Sequence, residues 1–161
     1  IKKKIVKFSG IVHISQTDVI GMESWLYSDI SSAEVFPFEY TAYRKDRNAH
    51  GGGVFVLVHS RIQSVPLDCG NDRSESVWCK LILSAGNSLT VESFYRPPTS
   101  TSKEPLLSLF RSLSALASEL ILLGGGFNLP YITWKNHYPE GSHSAHHCAL
   151  YEIVFTGCSN L

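Results

Sequence analysis

The stretch LILLGGGFNLPYITW, Leu120–Trp134, decides how the chain folds. An apolar run of strand length breaks into three glycines, and an asparagine follows before Leu129-Pro130. A short apolar run closed by glycine reads as a buried strand delivering its end to a polar loop. The Gly124–Gly126 triplet is then either a cradle for a ligand or the mark of something lost.

Working outward, the other apolar runs are also short, rich in β-branched residues and separated by turn signals. TDVIGMESWL reads as a buried strand through Val19 and Ile20 that ends at Gly21 and exposes Glu23 near its carboxyl end. GGGVFVLVHS, Gly51–Ser60, is apolar on both alternating sets, as a strand covered on both faces would be. ESVWCKLIL and SLTVESFY flank SAGNS, where Ala85, Gly86 and Asn87 supply a tight turn, so the pair predicts an antiparallel hairpin. After Pro97 and Pro98 a helix is expected, starting near Ser102 or Glu104 with Pro105 in its first turn. Leu106, Leu107, Phe110, Leu113 and Leu116 are assigned to one face of it. Hairpins mixed with a covering helix imply an α+β layered fold, with a sandwich of two sheets and outer helices as one form of it.

The 161 residues correspond to a single domain, and 43% hydrophobic with 17% charged is the balance of a globular chain. Fourteen basic residues balance fourteen acidic ones, so affinity for nucleic acid would have to come from local patches. Cys69, Cys79, Cys148 and Cys158 form no C-x-x-C pair and are expected to be reduced thiols. No run reaches the roughly 18 apolar residues of a membrane span, which predicts an intracellular chain, nuclear or cytoplasmic, with no membrane partner. Lys2, Lys3 and Lys4 read as a solvated end rather than a nuclear signal. His137, His143, His146, His147 and Cys148 match no standard zinc spacing and read as a polar loop.

Four segments, GMESWLYSDI, YTAYRKDRNAHGGGV, ESFYRPPTS and LLGGGFNLPYITW, stand in that order within a stretch of resemblance from about Asp18 to Leu161. Together they resemble the endonuclease domain of LINE-type (non-LTR) retrotransposons, apurinic-endonuclease-like members of the endonuclease/exonuclease/phosphatase superfamily. The resemblance implies a four-layered α/β sandwich, two packed mixed sheets with outer helices, that hydrolyses a DNA phosphodiester with a divalent metal, magnesium or manganese. It also implies DNA as partner and a reverse-transcriptase domain on the same polypeptide. A hard cation that keeps its waters needs only one or two carboxylates at strand ends.

Carried over residue by residue, Glu23 matches the family's metal-binding glutamate; otherwise it is a solvated loop carboxylate. Tyr95 matches the tyrosine that reaches the scissile phosphate, with Arg96 beside it as a nucleic-acid contact; a core tyrosine at a strand end is the alternative. Asn128 matches the asparagine of the G-D-F-N motif, or else caps a turn before Leu129-Pro130. Arg44, Lys45 and Arg47 would contact DNA phosphates or form a solvated run. Gly51, Gly52 and Gly53 read as a turn or bulge, since no Lys-Ser/Thr follows as in a P-loop.

The departures bear on activity. Where the family carries the aspartate that aligns and deprotonates water, this chain has Gly126, and loss of one positioned base costs about 10²–10⁴ in rate. Glu92 stands where the family has a small residue, and its alternation with Val91 lets it face solvent or the active-site side, where it would repel phosphate. The resemblance further implies an incomplete domain: nothing matches the early asparagine of the metal site, and the later aspartate and terminal histidine would lie past Leu161. Two functions remain open on these grounds, an impaired endonuclease and a catalytically dead remnant with at most weak nucleic-acid or metal binding.

Overall fold

A computed structural model of the chain describes residues 5–48, 50–70, 74–129, 132–133 and 138–139. Helix α1 (Ile5–Ser15) leads into β1 (Val19–Met22), β2 (Tyr40–Lys45) and β3 (Val54–His59). Strands β4 (Gln63–Leu67), β5 (Glu75–Ile82) and β6 (Ser88–Tyr95) follow, then α2 (Glu104–Ala115) and β7 (Ile121–Gly126). Two short strands, β8 (Ile132–Thr133) and β9 (Tyr138–Pro139), pair antiparallel with each other.

The first sheet has the order β1-β3-β2 and is antiparallel throughout. The second has the order β4-β5-β6-β7, antiparallel except for the parallel pair β6–β7. A parallel pair needs a crossover, and α2 is that crossover. The predicted hairpin is present, with Ile82 opposite Ser88 and Glu75 opposite Tyr95. Its turn runs through left-handed Ala85 and Gly86, at φ 59° and 79°.

Side-chain alternation on β3 sets the layers. Phe55 and Leu57 point to one side, packing with Leu26, Val35, Phe36 and Phe8 of α1. The Phe8 ring meets Phe36 and Phe55 edge-on at 6.1 and 5.9 Å. Val56 and Val58 point to the other side and meet Cys79, Leu81 and Val91 of the second sheet. The outer face of that sheet, through Trp78 and Phe94, is covered by Leu106 and Leu109 of α2. The order of layers is therefore helix, sheet, sheet, helix, the α+β sandwich expected. Each fully buried Val, Leu or Phe at these seams contributes roughly 1.5–3 kcal/mol.

Four local expectations are corrected. Strand β1 continues past Gly21 to Met22 and is half-buried, because it lies at the edge of its sheet. Strand β7 is likewise half-buried, with Leu120 and Leu122 exposed, since on the described residues it is an edge too. On α2 the buried face is Leu106, Leu109 and Ser112, while Leu107 and Phe110 are exposed: the helix is rotated relative to the expected face. Glu92 faces neither solvent nor the rim where β1 and β6 end. It is fully buried on the α2 side of β6, directly across from Trp78.

That burial raises the Glu92 pKa to about 9, against a smaller lowering influence of the Ser76 hydroxyl. Neither carboxyl oxygen makes a well-formed hydrogen bond among the described residues, and the Ser76 hydroxyl is shared with Ser74 at 2.9 Å. The group is a neutral acid in the fold and an anion in the unfolded chain above its ordinary pKa of 4.5. The native state then holds the extra proton, so stability falls as pH rises from near 4.5 towards 9, by about 1.4 kcal/mol per unit at most. Glu92→Gln is expected to remove this slope. Thermal melts of both proteins at pH 5 and pH 8 check it, the variant gaining on the parent at the higher pH.

Candidate functional site

The two packed sheets bring the ends of three strands to one rim. The Ser93 hydroxyl on β6 donates to the Gly21 carbonyl on β1 at 2.9 Å, tying the two sheets together one residue before the end of β1 and two before the end of β6. Two residues further along the same face of β6, Tyr95 lies in register with Gly126 of β7. A methyl placed on Gly126 would stand 3.0 Å from the Met22 sulfur and 3.2 Å from the Tyr95 ring. Position 126 thus opens directly onto Met22, Glu23's neighbour in sequence, and onto Tyr95.

The loop between β2 and β3 builds the other wall. Gly51, Gly52 and Gly53 all have positive φ, 140°, 75° and 81°, which lets consecutive amides turn towards different carboxylates. The Gly52 N–H donates to Glu23 Oε2 at 3.1 Å, and the Gly53 N–H donates to Glu75 Oε2 at 2.8 Å. The same glycines accept backbone bonds from Trp25 and Ser24, at 3.0 and 3.1 Å, so the segment after β1 is zipped onto this loop. Arg47 spans it, with Nε on the Gly51 carbonyl at 2.9 Å and Nη1 on Glu75 Oε1 at 2.7 Å. The triplet is the turn that the sequence suggested, and it positions carboxylates rather than a phosphate.

Glu23 is the best-connected group. Its Oε2 also accepts the Trp25 indole N–H at 2.8 Å, and the Tyr95 phenol hydrogen-bonds the carboxylate. Burial acts to raise its pKa, but the bonds from Tyr95, Gly52 and Trp25 and the Arg47 charge outweigh it, leaving the value below the ordinary 4.5. Glu23 is accordingly an anion at neutral pH. Tyr95 moves the opposite way: burial first, then the bond and charge of Glu23, push it up to about 12, so it remains a protonated donor. Glu23 and Trp25 both hold left-handed backbone, φ 54° and 57°, unusual for bulky residues and common where a fold is held for a task.

The remaining sequence candidates separate. Asn128, itself left-handed at φ 48°, donates from Nδ2 to the Arg96 carbonyl at 2.6 Å. Arg96 returns the contact, Nη1 to the Asn128 carbonyl at 3.0 Å, and also donates to the Ser100 carbonyl. These two residues lock together the loops after β6 and β7, beside the rim. Arg44 points elsewhere, into an ion pair with Asp46 and a hydrogen bond donated to the Tyr27 carbonyl. Lys45 ends β2 opposite Val54, and Arg47 joins the glycine loop. The histidine-rich patch, Lys2–Lys4, Cys148 and Cys158 lie outside the described residues, while Cys69 and Cys79 are free thiols as expected. Among the described residues no three His, Cys, Asp or Glu side chains converge as a metal cage, and no helix is long and apolar enough to cross a membrane.

Glu75 and Trp25 were not singled out from sequence. A signal for Glu75 existed: counting back from the SAGNS turn in the hairpin puts Glu75 opposite Tyr95. Nothing in the sequence connects it to Gly53 or Arg47.

No protein-family model and no curated protein matches the chain. Among solved structures it is similar to the endonuclease domain of TRAS1, a telomere-specific non-LTR retrotransposon, with a TM-score of 0.65 at 10% sequence identity. The superposition covers 95% of this chain and 64% of that one. The likeness is one of fold, and it agrees with the endonuclease-like sandwich that the four motifs imply.

Two expectations follow from the geometry. Gly126→Ala should cost less than about 1 kcal/mol, because its φ is not left-handed and the half-exposed Met22 has room to move, whereas Gly125→Ala should cost several times more. At Gly125 a methyl would stand 1.9 Å from the Phe94 carbonyl oxygen, which is backbone and has nowhere to go. Denaturant unfolding of the two variants checks the contrast. Tyr95→Phe should raise the Glu23 pKa, which carboxyl NMR titration reads directly. Because that pKa is depressed in the fold, its stabilisation is present above the unfolded value and lost as pH falls through the folded one, and the variant should lose less on acidification.

Proposed function

We propose that the chain is a nuclease-type domain directed at DNA phosphodiesters, with hydrolysis impaired by Gly126. The observation that carries the reading is the meeting of Glu23, Tyr95 and position 126 on one rim, at the ends of β1, β6 and β7. Tyr95, protonated up to about pH 12, can donate to a non-bridging phosphate oxygen, and Arg47 stands beside it. Asn128, whose amide is given to the Arg96 carbonyl, holds the phosphate-side loop in place.

A divalent ion suits this wall. Glu23, Glu75 and Arg47 sum to one negative charge, which would repel a phosphate unless a cation offset it. Glu23, ionised and at a strand end, is the residue to hold magnesium or manganese, which are satisfied by one or two carboxylates and retained waters. Bound there, such an ion would neutralise phosphate charge and acidify a water. Position 126, where the family resemblance implies an aspartate, contributes no acid or base, so the proton of that water has no acceptor there. As a retrotransposon-type domain it would work beside a reverse transcriptase on the same polypeptide.

The second reading, a remnant that binds nucleic acid without cutting it, is favoured by the same glycine. Nicking of supercoiled plasmid in magnesium and in manganese separates the two. The unaltered chain is expected to nick slowly, Gly126→Asp about 10²–10⁴ faster, and Gly126→Asp with Glu23→Gln not at all. Rapid nicking by the unaltered chain would refute impairment at 126. Failure of Gly126→Asp to nick, with DNA binding intact, would leave the remnant.

A further inference from the structure

Trp25 is held in an unusual way for an exposed residue. The neighbours on either side are buried, Ser24 at 1% and Leu26 at 0% exposure, while Trp25 itself is 48% exposed. It is nevertheless fixed at three points. Its backbone sits in the left-handed region at φ 57°, its N–H donates to the Gly52 carbonyl, and its indole N–H donates to Glu23 Oε2. One edge of the ring lies against Gly51, 3.9 Å from where a side chain there would begin. A tryptophan that only needed to cover apolar surface would be turned inward, and one with no task would not hold strained backbone.

We propose that Trp25 is a stacking platform for a nucleobase of the bound DNA strand, adjacent to the nucleotide whose phosphate faces Tyr95. The inference rests on the reading of this rim as a DNA site and adds the residue that grips a base. An aromatic face immobilised before binding loses little conformational freedom on stacking, and every base offers a π-face, so the contact gives affinity without sequence preference. The indole N–H also couples the platform to Glu23: the residue that orients the base is bonded to the carboxylate that the phosphate approaches.

The test is fluorescence anisotropy of two labelled 12-nucleotide strands, one of thymidines and one of abasic tetrahydrofuran units, with and without magnesium. Three full-length proteins are compared: the unaltered chain, Trp25→Ala and Trp25→Phe. The unaltered chain should bind the base-bearing strand roughly five- to a hundredfold more tightly. Trp25→Ala should lose most of that preference and keep its affinity for the abasic strand. Trp25→Phe should retain most of it although it lacks the bond to Glu23, which assigns the effect to the ring and not to a disturbed carboxylate. Equal binding of both strands by the unaltered chain, or a preference that survives Trp25→Ala, overturns the stacking role and leaves the DNA site standing. Absence of binding to either strand overturns both. Should Trp25→Ala not fold, the indole emission decides: quenching by the thymidine strand in the unaltered chain but not in Trp25→Phe supports the platform, and equal quenching in both overturns it.

Discussion

The contact on which the rest depends is the packing of Val56 and Val58 in one sheet against Cys79, Leu81 and Val91 in the other. No side chain at the rim belongs to this seam, but its register decides which strand ends meet. With the sheets pressed together, Ser93 reaches the Gly21 carbonyl, and the chain leaving β1 emerges beside the ends of β6 and β7. Aliphatic packing is non-directional, so polar bonds between the sheets, from the Ser93 hydroxyl to the Gly21 carbonyl and from the Tyr43 hydroxyl to Ser64, supply the alignment that burial alone does not.

The glycine loop between β2 and β3 then converts position into chemistry. Backbone N–H groups are donors that cannot rotate away, and two in succession with positive φ fan out to different acceptors. Glu23 and Glu75 are held apart in this way, with Arg47 closing the circuit on Glu75 alone. The result is one carboxylate with a charge partner and one kept ionised mainly by neutral donors. The second kind is what a hard cation can share, since no guanidinium competes directly for its oxygens.

Buried Glu92 shows that acidity in this fold is not confined to the rim. It sits on the α2 side of β6, one residue before Ser93 and on the opposite face, so it neither adds charge near Glu23 nor meets solvent. The strand alternation that separates them was visible in VESFY, but which face was which depended on α2. That helix in turn buries Leu109 and Ser112 instead of Leu107 and Phe110, a rotation the pattern of apolar residues did not distinguish because leucine and phenylalanine occupy nearly every side of it.

The sequence alone determined the strands β1, β3, β5, β6 and β7, the hairpin through SAGNS and the helix after Pro97-Pro98, but not α1, β2 or β4. It also marked Glu23, Tyr95 and Gly126 as the residues to watch. These are local matters, governed by turn chemistry and by the period of side-chain burial over a few residues. Only the tertiary structure decided which of them meet. It drew Trp25 to Glu23 and Glu75 to Gly53 and Arg47, and left Arg44 with Asp46, and Arg96 and Asn128 with each other. Hydrogen-bond partners distant along the chain are set by how two sheets stack, which no short window encodes. The opening triplet divides along the same line: Gly125 is required because the Phe94 carbonyl leaves no space for a side chain, whereas at Gly126 one fits only if the Met22 side chain and the Tyr95 ring give way by a few tenths of an ångström.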